Sequence, residues 1–218
     1  MRTRIVLTSL TAALMVATVV TPAAAQTPPP SHPFVIHAEA GPTFGGPTGA
    51  LFGAGAGVDI AAVPGLTVFG EVGRLTNIMN SDLQDIVDEL AGVDESDEFD
   101  VEFDISLPTV YGLGGARFTV PTNGPLGVFV EGGIGVGRVG IDVTLVVDGV
   151  DFSDEFEDVL DDQDITEPST EPLFFVGGGI TYPATPRVDI TGGLRLTRIA
   201  AGDGITKPAV YVGVLWRP

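Results

Sequence analysis

Residues 126–138 read LGVFVEGGIGVGR, a stretch in which apolar residues and glycines surround one glutamate. One set of alternating positions carries Leu126, Val128, Val130, Ile134 and Val136, and the other carries Gly127, Glu131, Gly133, Gly135 and Gly137. Successive side chains of a β-strand point to opposite faces, so the stretch predicts a strand with one aliphatic face and one face of glycine and charge. The fold must therefore provide an interior that accepts Glu131.

The same alternation recurs in eight glycine-rich runs. They cover about residues 34–44, 50–62, 65–78, 108–120, 126–143, 172–182, 187–199 and 206–217. Tight proline turns link some of them, and the two long connections both fall at the opposite end. An even number of strands connected up and down returns both termini to the short-turn end, as in bacterial outer-membrane barrels.

The two long connections are acidic blocks, running from Asp82 to Asp104 and from Asp148 to Glu171. Each holds 11 acidic residues and neither contains lysine or arginine. Ser81 and Ser153 are followed by acids and by apolar residues at helical spacing, so they are candidate caps of short helices. Solvated loops with transient helix are an equally good interpretation.

The inward-facing positions of the eight runs carry both acids and bases. In a closed barrel these side chains would share one lumen, and eight strands leave room there only for side chains. A buried charge needs a partner, so a lumen charge network is expected, with glycines making room for the long side chains. Its members are Glu39, Asp59, Glu71, Arg117, Glu131, Asp189, Arg195 and Arg217.

Aromatic residues on the aliphatic faces distinguish a membrane barrel from a soluble one. They fall near strand ends, where aromatic girdles bound the apolar band of a barrel that spans lipid. The short-turn end carries Phe34, Phe118, Tyr182 and Trp216, and the other end carries Phe44, Phe52 and Phe174. The predicted fold is an all-β, eight-stranded antiparallel up-and-down transmembrane barrel with two long acidic outer loops that contain short helices.

Two arginines interrupt the aliphatic faces. Arg74 and Arg138 have lipid-facing parity, but both lie near the long-loop end of their strands, where they should emerge at the outer interface. As an explanation for their outward position, snorkelling of the long side chains or a local bulge in the strand is favoured over contact with lipopolysaccharide phosphates.

The ends of the chain and its composition limit where the protein acts. Arg2 and Arg4 precede an apolar run, and Ala23-Ala24-Ala25 resembles a signal-peptidase site. We therefore expect a signal peptide for general secretion over residues 1–25, a proline-rich lead-in over 26–33 and one barrel domain over 34–218. The chain has no cysteine, and its formal net charge of −19 disfavours nucleic acid as a partner.

With its signal sequence, eight alternating strands, short turns and C-terminal VYVGVLWRP, the chain resembles the small outer-membrane β-barrel family that includes the transmembrane domain of outer membrane protein A. The resemblance implies residence in the outer membrane of a Gram-negative-type bacterium, contact with outer-membrane lipid and lipopolysaccharide, and insertion by the barrel-assembly machinery. A non-enzymatic envelope-structural or surface-interaction role follows. The alternatives are a soluble periplasmic lipocalin-like binding barrel and a narrow small-solute channel.

Catalysis and specific metal binding have weak support. Some barrels of this type resemble lipid A acylases or deacylases, but His32 and His37 are the only histidines, and neither has a predicted nucleophile beside it. No cofactor is expected. Loose association of calcium or magnesium with the acidic loops is plausible from charge density alone. The candidate ligands are Asp94, Asp97, Asp100 and Asp104.

Overall fold

A computed structural model describes residues 33–79, 101–122, 124–147, 150–151, 168–202 and 204–218. Within these residues the chain forms eleven strands, and eight of them close into one barrel. The predicted signal peptide, most of the lead-in, Ser81 and Ser153 lie outside the described residues. No helix in the described ranges is long and apolar enough to cross a membrane.

The barrel strands follow the chain around the ring. They are β1 (Phe34–Thr43), β2 (Gly49–Asp59), β3 (Leu66–Leu75), β5 (Thr109–Pro121), β6 (Gly127–Val139), β9 (Ser169–Thr185), β10 (Val188–Ile199) and β11 (Ile205–Trp216). Every neighbouring pair is antiparallel, and β1 pairs with β11 to close the ring in the order β1-β11-β10-β9-β6-β5-β3-β2. The predicted eight-stranded up-and-down barrel is therefore confirmed.

A second, smaller sheet extends from the long-loop end. It consists of β4 (Val101–Ser106), β7 (Asp142–Val147) and β8 (Val150–Asp151), in the order β4-β7-β8. This sheet was not predicted from the sequence, because β4 falls largely within the first acidic block and the fifth predicted run, 126–143, includes only the first two residues of β7. The segments VEFDIS and DVTLVV nevertheless combine alternation with β-branched and aromatic residues, which favour strands.

Burial alternates along the barrel strands. In β11, odd-numbered residues from Ile205 to Leu215 are buried, whereas most even-numbered residues are exposed. Exposed side chains are mainly aliphatic, while the buried set includes many charged and polar residues. This distribution is the reverse of that in a soluble barrel and places the charged face inside.

The interior at the long-loop end is mainly apolar, although the buried Lys207 also lies there. Leu51, Leu75 and Leu173 are at most 1% exposed, and they pack with Ile78, Ile199 and Ile205. Burial of such side chains stabilises a fold by roughly 1.5–3 kcal/mol each. The lumen thus has an apolar seal at one end and charged residues along its middle.

Candidate functional site

Arg195 is the centre of the charged interior. Its guanidinium Nη1 lies 2.6 Å from Glu39 Oε1 and 2.7 Å from Glu71 Oε1, and its Nη2 lies 3.3 Å from Glu131 Oε1. The residue is 1% exposed, so all three ion pairs are shielded from water. One arginine from β10 therefore ties together carboxylates from β1, β3 and β6 across the lumen.

Glu131, the one glutamate of residues 126–138, contacts two arginines. Its Oε2 accepts hydrogen bonds from Arg117 Nε at 2.9 Å and Nη2 at 2.6 Å, a two-nitrogen contact of the strong charge-assisted kind. Its Oε1 accepts a hydrogen bond from the Tyr211 hydroxyl at 2.9 Å, in addition to the contact from Arg195. Both oxygens of this buried carboxylate are satisfied.

Glu71 has a similarly complete set of partners. The Tyr111 hydroxyl donates to its Oε1 at 2.9 Å, and His37 Nε2 lies 3.0 Å from its Oε2. His37 is buried and meets the Phe69 ring edge-on, with ring centroids 5.2 Å apart. The histidine is thus part of the packed interior.

We call the connected set of His37, Glu39, Glu71, Arg117, Glu131 and Arg195 the lumen cluster. It contains three carboxylates and two guanidinium groups, with His37 as a sixth polar member. Such pairs specify one arrangement of the interior more than they add stability, because removing charges from water is costly. The cluster joins five barrel strands and so constrains how they pack around the lumen.

Strand register explains how the cluster assembles. Arg117 pairs with Glu131, Glu131 pairs with Gly177, and Gly177 pairs with Arg195. A Cβ atom at Gly177 would lie 3.0 Å from Glu131 Oε1. The glycine between the two charged residues leaves the space that the glutamate side chain needs to reach Arg195.

Aromatic rings fill the rest of the middle lumen. The guanidinium of Arg195 lies 4.4 Å from the ring centroid of Phe175, and that of Arg117 lies 4.5 Å from the centroid of Phe129. Cation–π contacts of this kind offset part of the cost of burying the arginines. A cavity of about 10 Å³ beside His37 and Phe69 is scarcely large enough for one water molecule.

Three of the predicted network residues form a separate group at the short-turn end, which we call the Arg217 cluster. Arg217 Nε lies 3.4 Å from Asp59 Oδ2, and its Nη1 donates to Asp189 Oδ2. Thr67 Oγ1 donates to Asp59 Oδ1 at 2.5 Å. The three charged residues are partly exposed, as expected at the mouth of a barrel.

The sequence predicts one network of eight charged residues, whereas the structure places five in the lumen cluster and three in the Arg217 cluster. Two further inward polar residues, His37 and Lys207, are absent from the predicted network. Lys207 is 1% exposed, and its Nζ donates to Gly45 O at 3.3 Å and to Pro47 O at 3.5 Å. Both omitted residues have inward parity on their strands, which is the signal that could have identified them.

The outer surface of the barrel is an aliphatic band. Val72 is 67% exposed, Ile134 66% and Leu194 63%, and they lie on three different strands. Apolar patches that are this extensive mark an interaction or membrane surface. Hydrocarbon is the environment in which such a band is stable.

Six of the seven predicted girdle aromatics are exposed on this outer surface. Phe34, Tyr182 and Trp216 lie at the short-turn end, and Phe44, Phe52 and Phe174 lie at the other end. Phe118 is half-buried, at a position that pairs with Leu66. The rings lie at the two margins of the aliphatic band.

The side chains of the predicted metal ligands all lie outside the described residues. Asp94, Asp97 and Asp100 lie outside the described residues, as does the side chain of Asp104, whose backbone is part of β4. No group of three or more potential ligands that could hold a metal ion occurs within the described ranges. His32 also lies outside the described residues.

Comparison with known proteins supports the fold. No protein-family model matches the sequence, and no curated protein matches it either. Among solved structures, Neisserial surface protein A matches with a TM-score of 0.53 and 15% identity, over 85% of this chain and 97% of that protein.

Two further structures match at lower TM-scores. A major outer membrane protein from Thermus thermophilus has a TM-score of 0.46 and 14% identity, over 85% of this chain and 99% of that one. The attachment invasion locus protein Ail of Yersinia pestis has a TM-score of 0.45 and 11% identity, over 84% and 95%. The first match and the closed ring itself support the fold. The chain has the fold of the small eight-stranded outer-membrane β-barrels.

Proposed function

We propose that this protein is a non-enzymatic outer-membrane barrel whose closed lumen serves as a rigid structural core, with its long acidic loops as the surface that interacts with other molecules. The observation that carries the proposal is the reversed polarity of the barrel. The lumen cluster lies inside, while residues such as Val72 and Leu194 are exposed outside. Lipid is the solvent in which this polarity is stable.

A structural role is supported by the way the lumen is filled. Both oxygens of Glu71 and Glu131 are occupied, and aromatic rings pack against the arginines. Ligand sites in proteins are usually clefts of about 300–1,000 Å³. The cavity of about 10 Å³ beside His37 offers no comparable space.

A non-enzymatic role is supported by the surroundings of His37. A general base must reach the proton that it abstracts from a bound substrate. The imidazole is 7% exposed, contacts the Glu71 carboxylate through Nε2 and packs against Phe69. It faces the lumen, away from the lipid side on which an acyl-chain substrate would approach.

The narrow-channel alternative is tested by conductance of the purified, folded protein in a planar lipid bilayer. A filled lumen predicts no steady openings of porin size, and Glu131→Ala should raise leakage because Arg117 then lacks its carboxylate partner. The matched control is Glu171→Ala, since Glu171 is half-buried and has no ion pair among the described residues. Stable openings in the unmodified protein would contradict the closed-lumen proposal.

A further inference from the structure

The basic residues of the barrel are few, and all of them are accounted for in the structure. Beyond residue 25 the sequence has eight lysines and arginines, and each lies in the described ranges. Five have inward or turn positions: Arg117, Arg187, Arg195, Lys207 and Arg217. The other three, Arg74, Arg138 and Arg198, are exposed on the lipid-facing parity of β3, β6 and β10.

Each of these three arginines is the last residue but one of its strand, at the long-loop end. Arg74 pairs in register with Phe52, and Arg198 pairs with Phe174, so both are cross-strand neighbours of exposed aromatics. Aromatic rings of this kind mark the boundary between hydrocarbon and headgroups. Arg74 and Arg198 therefore lie near the lipid headgroups, and the strand-end position of Arg138 puts it in the same region.

Arg74 and Arg138 are close neighbours at this level. Each is paired in register with Val110, so the two arginines lie on either side of one β5 residue. Two strand spacings put their backbones about 10 Å apart. Both long side chains can therefore reach a single group above Val110.

The geometry also excludes a local bulge as the reason for their outward position. The pairing of β3 with β2 and β5, and that of β6 with β5 and β9, continues without a shift through Arg74 and Arg138. Neither guanidinium has an ion pair with any of the described residues. Arg198 differs, because its Nη1 donates to Thr206 Oγ1 at 3.1 Å.

We propose that Arg74 and Arg138 together bind the phosphate of an anionic lipid in the outer leaflet, with exposed Val110 against its acyl chains. The planar guanidinium group presents paired donors that match phosphate oxygens. A chain of formal net charge −19 repels free anions from solution, whereas a lipid is held at the barrel surface by its acyl chains. A membrane lipid is therefore the source of the phosphate. This inference rests on the proposed outer-membrane location.

The test uses the full chain folded in an uncharged detergent, titrated with phosphorylated lipid A and, separately, with dephosphorylated lipid A. Bound lipid is measured by native mass spectrometry. The double variant Arg74→Gln, Arg138→Gln should bind the phosphorylated lipid about tenfold or more weakly, because charge-assisted hydrogen bonds are lost. The matched control Arg187→Gln removes one exposed arginine at the opposite end and should bind as the unmodified protein does.

Further variants and probes separate a specific site from general attraction. The double variant Arg74→Lys, Arg138→Lys keeps both charges and should retain most of the binding. Inorganic phosphate at the same concentration should not displace the lipid. Equal binding by the Gln variant, equal loss in the Arg187→Gln control, equal affinity for dephosphorylated lipid, or displacement by inorganic phosphate would each overturn the inference.

Compact gel mobility without heating must accompany every binding measurement. A chain that shows this mobility but does not discriminate between the lipids refutes only the lipid site. An unmodified chain that forms no heat-modifiable barrel would instead refute the proposed function.

Discussion

Replacing Arg195 with methionine removes the centre of the lumen cluster and should strongly destabilise the barrel. Glu39 and Glu71 would lose their only guanidinium contacts within the described structure, while Glu131 would keep Arg117. The side chains of Glu39 and Glu71 are 2% and 0% exposed, so water does not replace the lost partner.

The magnitude follows from the cost of breaking a buried ion pair from one side, which is about 3–5 kcal/mol. Methionine fills much of the volume of the arginine side chain and keeps the packing against Phe175. The loss of stability therefore comes mainly from the missing positive charge. Combining Arg195→Met with Glu39→Gln removes one of the unpaired carboxylates and should restore part of the stability. If the double variant were less stable than Arg195→Met alone, the carboxylates would not be coupled through Arg195.

The assay is urea-induced unfolding of the chain inserted in lipid vesicles, followed by the fluorescence of Trp216 and by gel mobility. Arg187→Met is the matched control, because Arg187 is exposed in a turn and its loss should change the free energy of unfolding by no more than about 0.5 kcal/mol. A loss below about 1 kcal/mol for Arg195→Met would refute the reasoning that the lumen is shielded from water.

Three further predictions concern other parts of the barrel. Val130→Arg places a charge on the lipid-facing surface, where Val130 is 59% exposed, and should lower the free energy of unfolding in vesicles by about 2–4 kcal/mol, whereas Val130→Leu should not. Gly135→Ala should cost about 1–3 kcal/mol in the same assay because its Cβ would lie 2.2 Å from Gly112 O, while Gly112→Ala has open space and should be tolerated. If calcium bridges the acidic loops, calorimetric titration should give more heat for the unmodified chain than for a variant with asparagine at Asp94, Asp97, Asp100 and Asp104; equal weak heats would exclude the bridge.

The parts of the fold that depend on alternation could be predicted from the sequence. Alternation within one strand is enough to place Glu131 and Val130 on opposite faces of the sheet. The same rule places Arg117 and Arg195 inside the barrel. The number of strands follows because every barrel strand carries this pattern. The short proline turns and the long connections then indicate at which end of the barrel each strand begins.

The partners within the lumen could not be predicted in the same way. Whether Arg195 meets Glu39 or Asp59 depends on strand register and tilt, which alternation leaves undetermined. Asp59 instead lies at the short-turn end with Arg217. The inward parity of His37, two residues from Glu39, fits a structural contact as well as a catalytic base, and only its partner Glu71 decides between them.

The small sheet was missed for a different reason. Acidic composition argues for solvated loops, yet β4 pairs with β7 over six residues, from Val101 with Val147 to Ser106 with Asp142. Pairing between distant segments satisfies the hydrogen-bonding groups of both backbones, and amino-acid composition does not predict which segments will pair. Local patterns therefore predict which face a residue occupies better than which segment it meets.

The charged residues lie inside the barrel and the aliphatic residues face outward, a polarity that requires lipid around the protein. Membrane fractionation, combined with gel mobility before and after boiling, measures directly whether lipid surrounds the barrel. We expect recovery in the outer-membrane fraction, extraction only with detergent, compact mobility without heating and a shift on boiling. Recovery in the soluble periplasmic fraction without detergent would show that the outward face is not embedded in lipid.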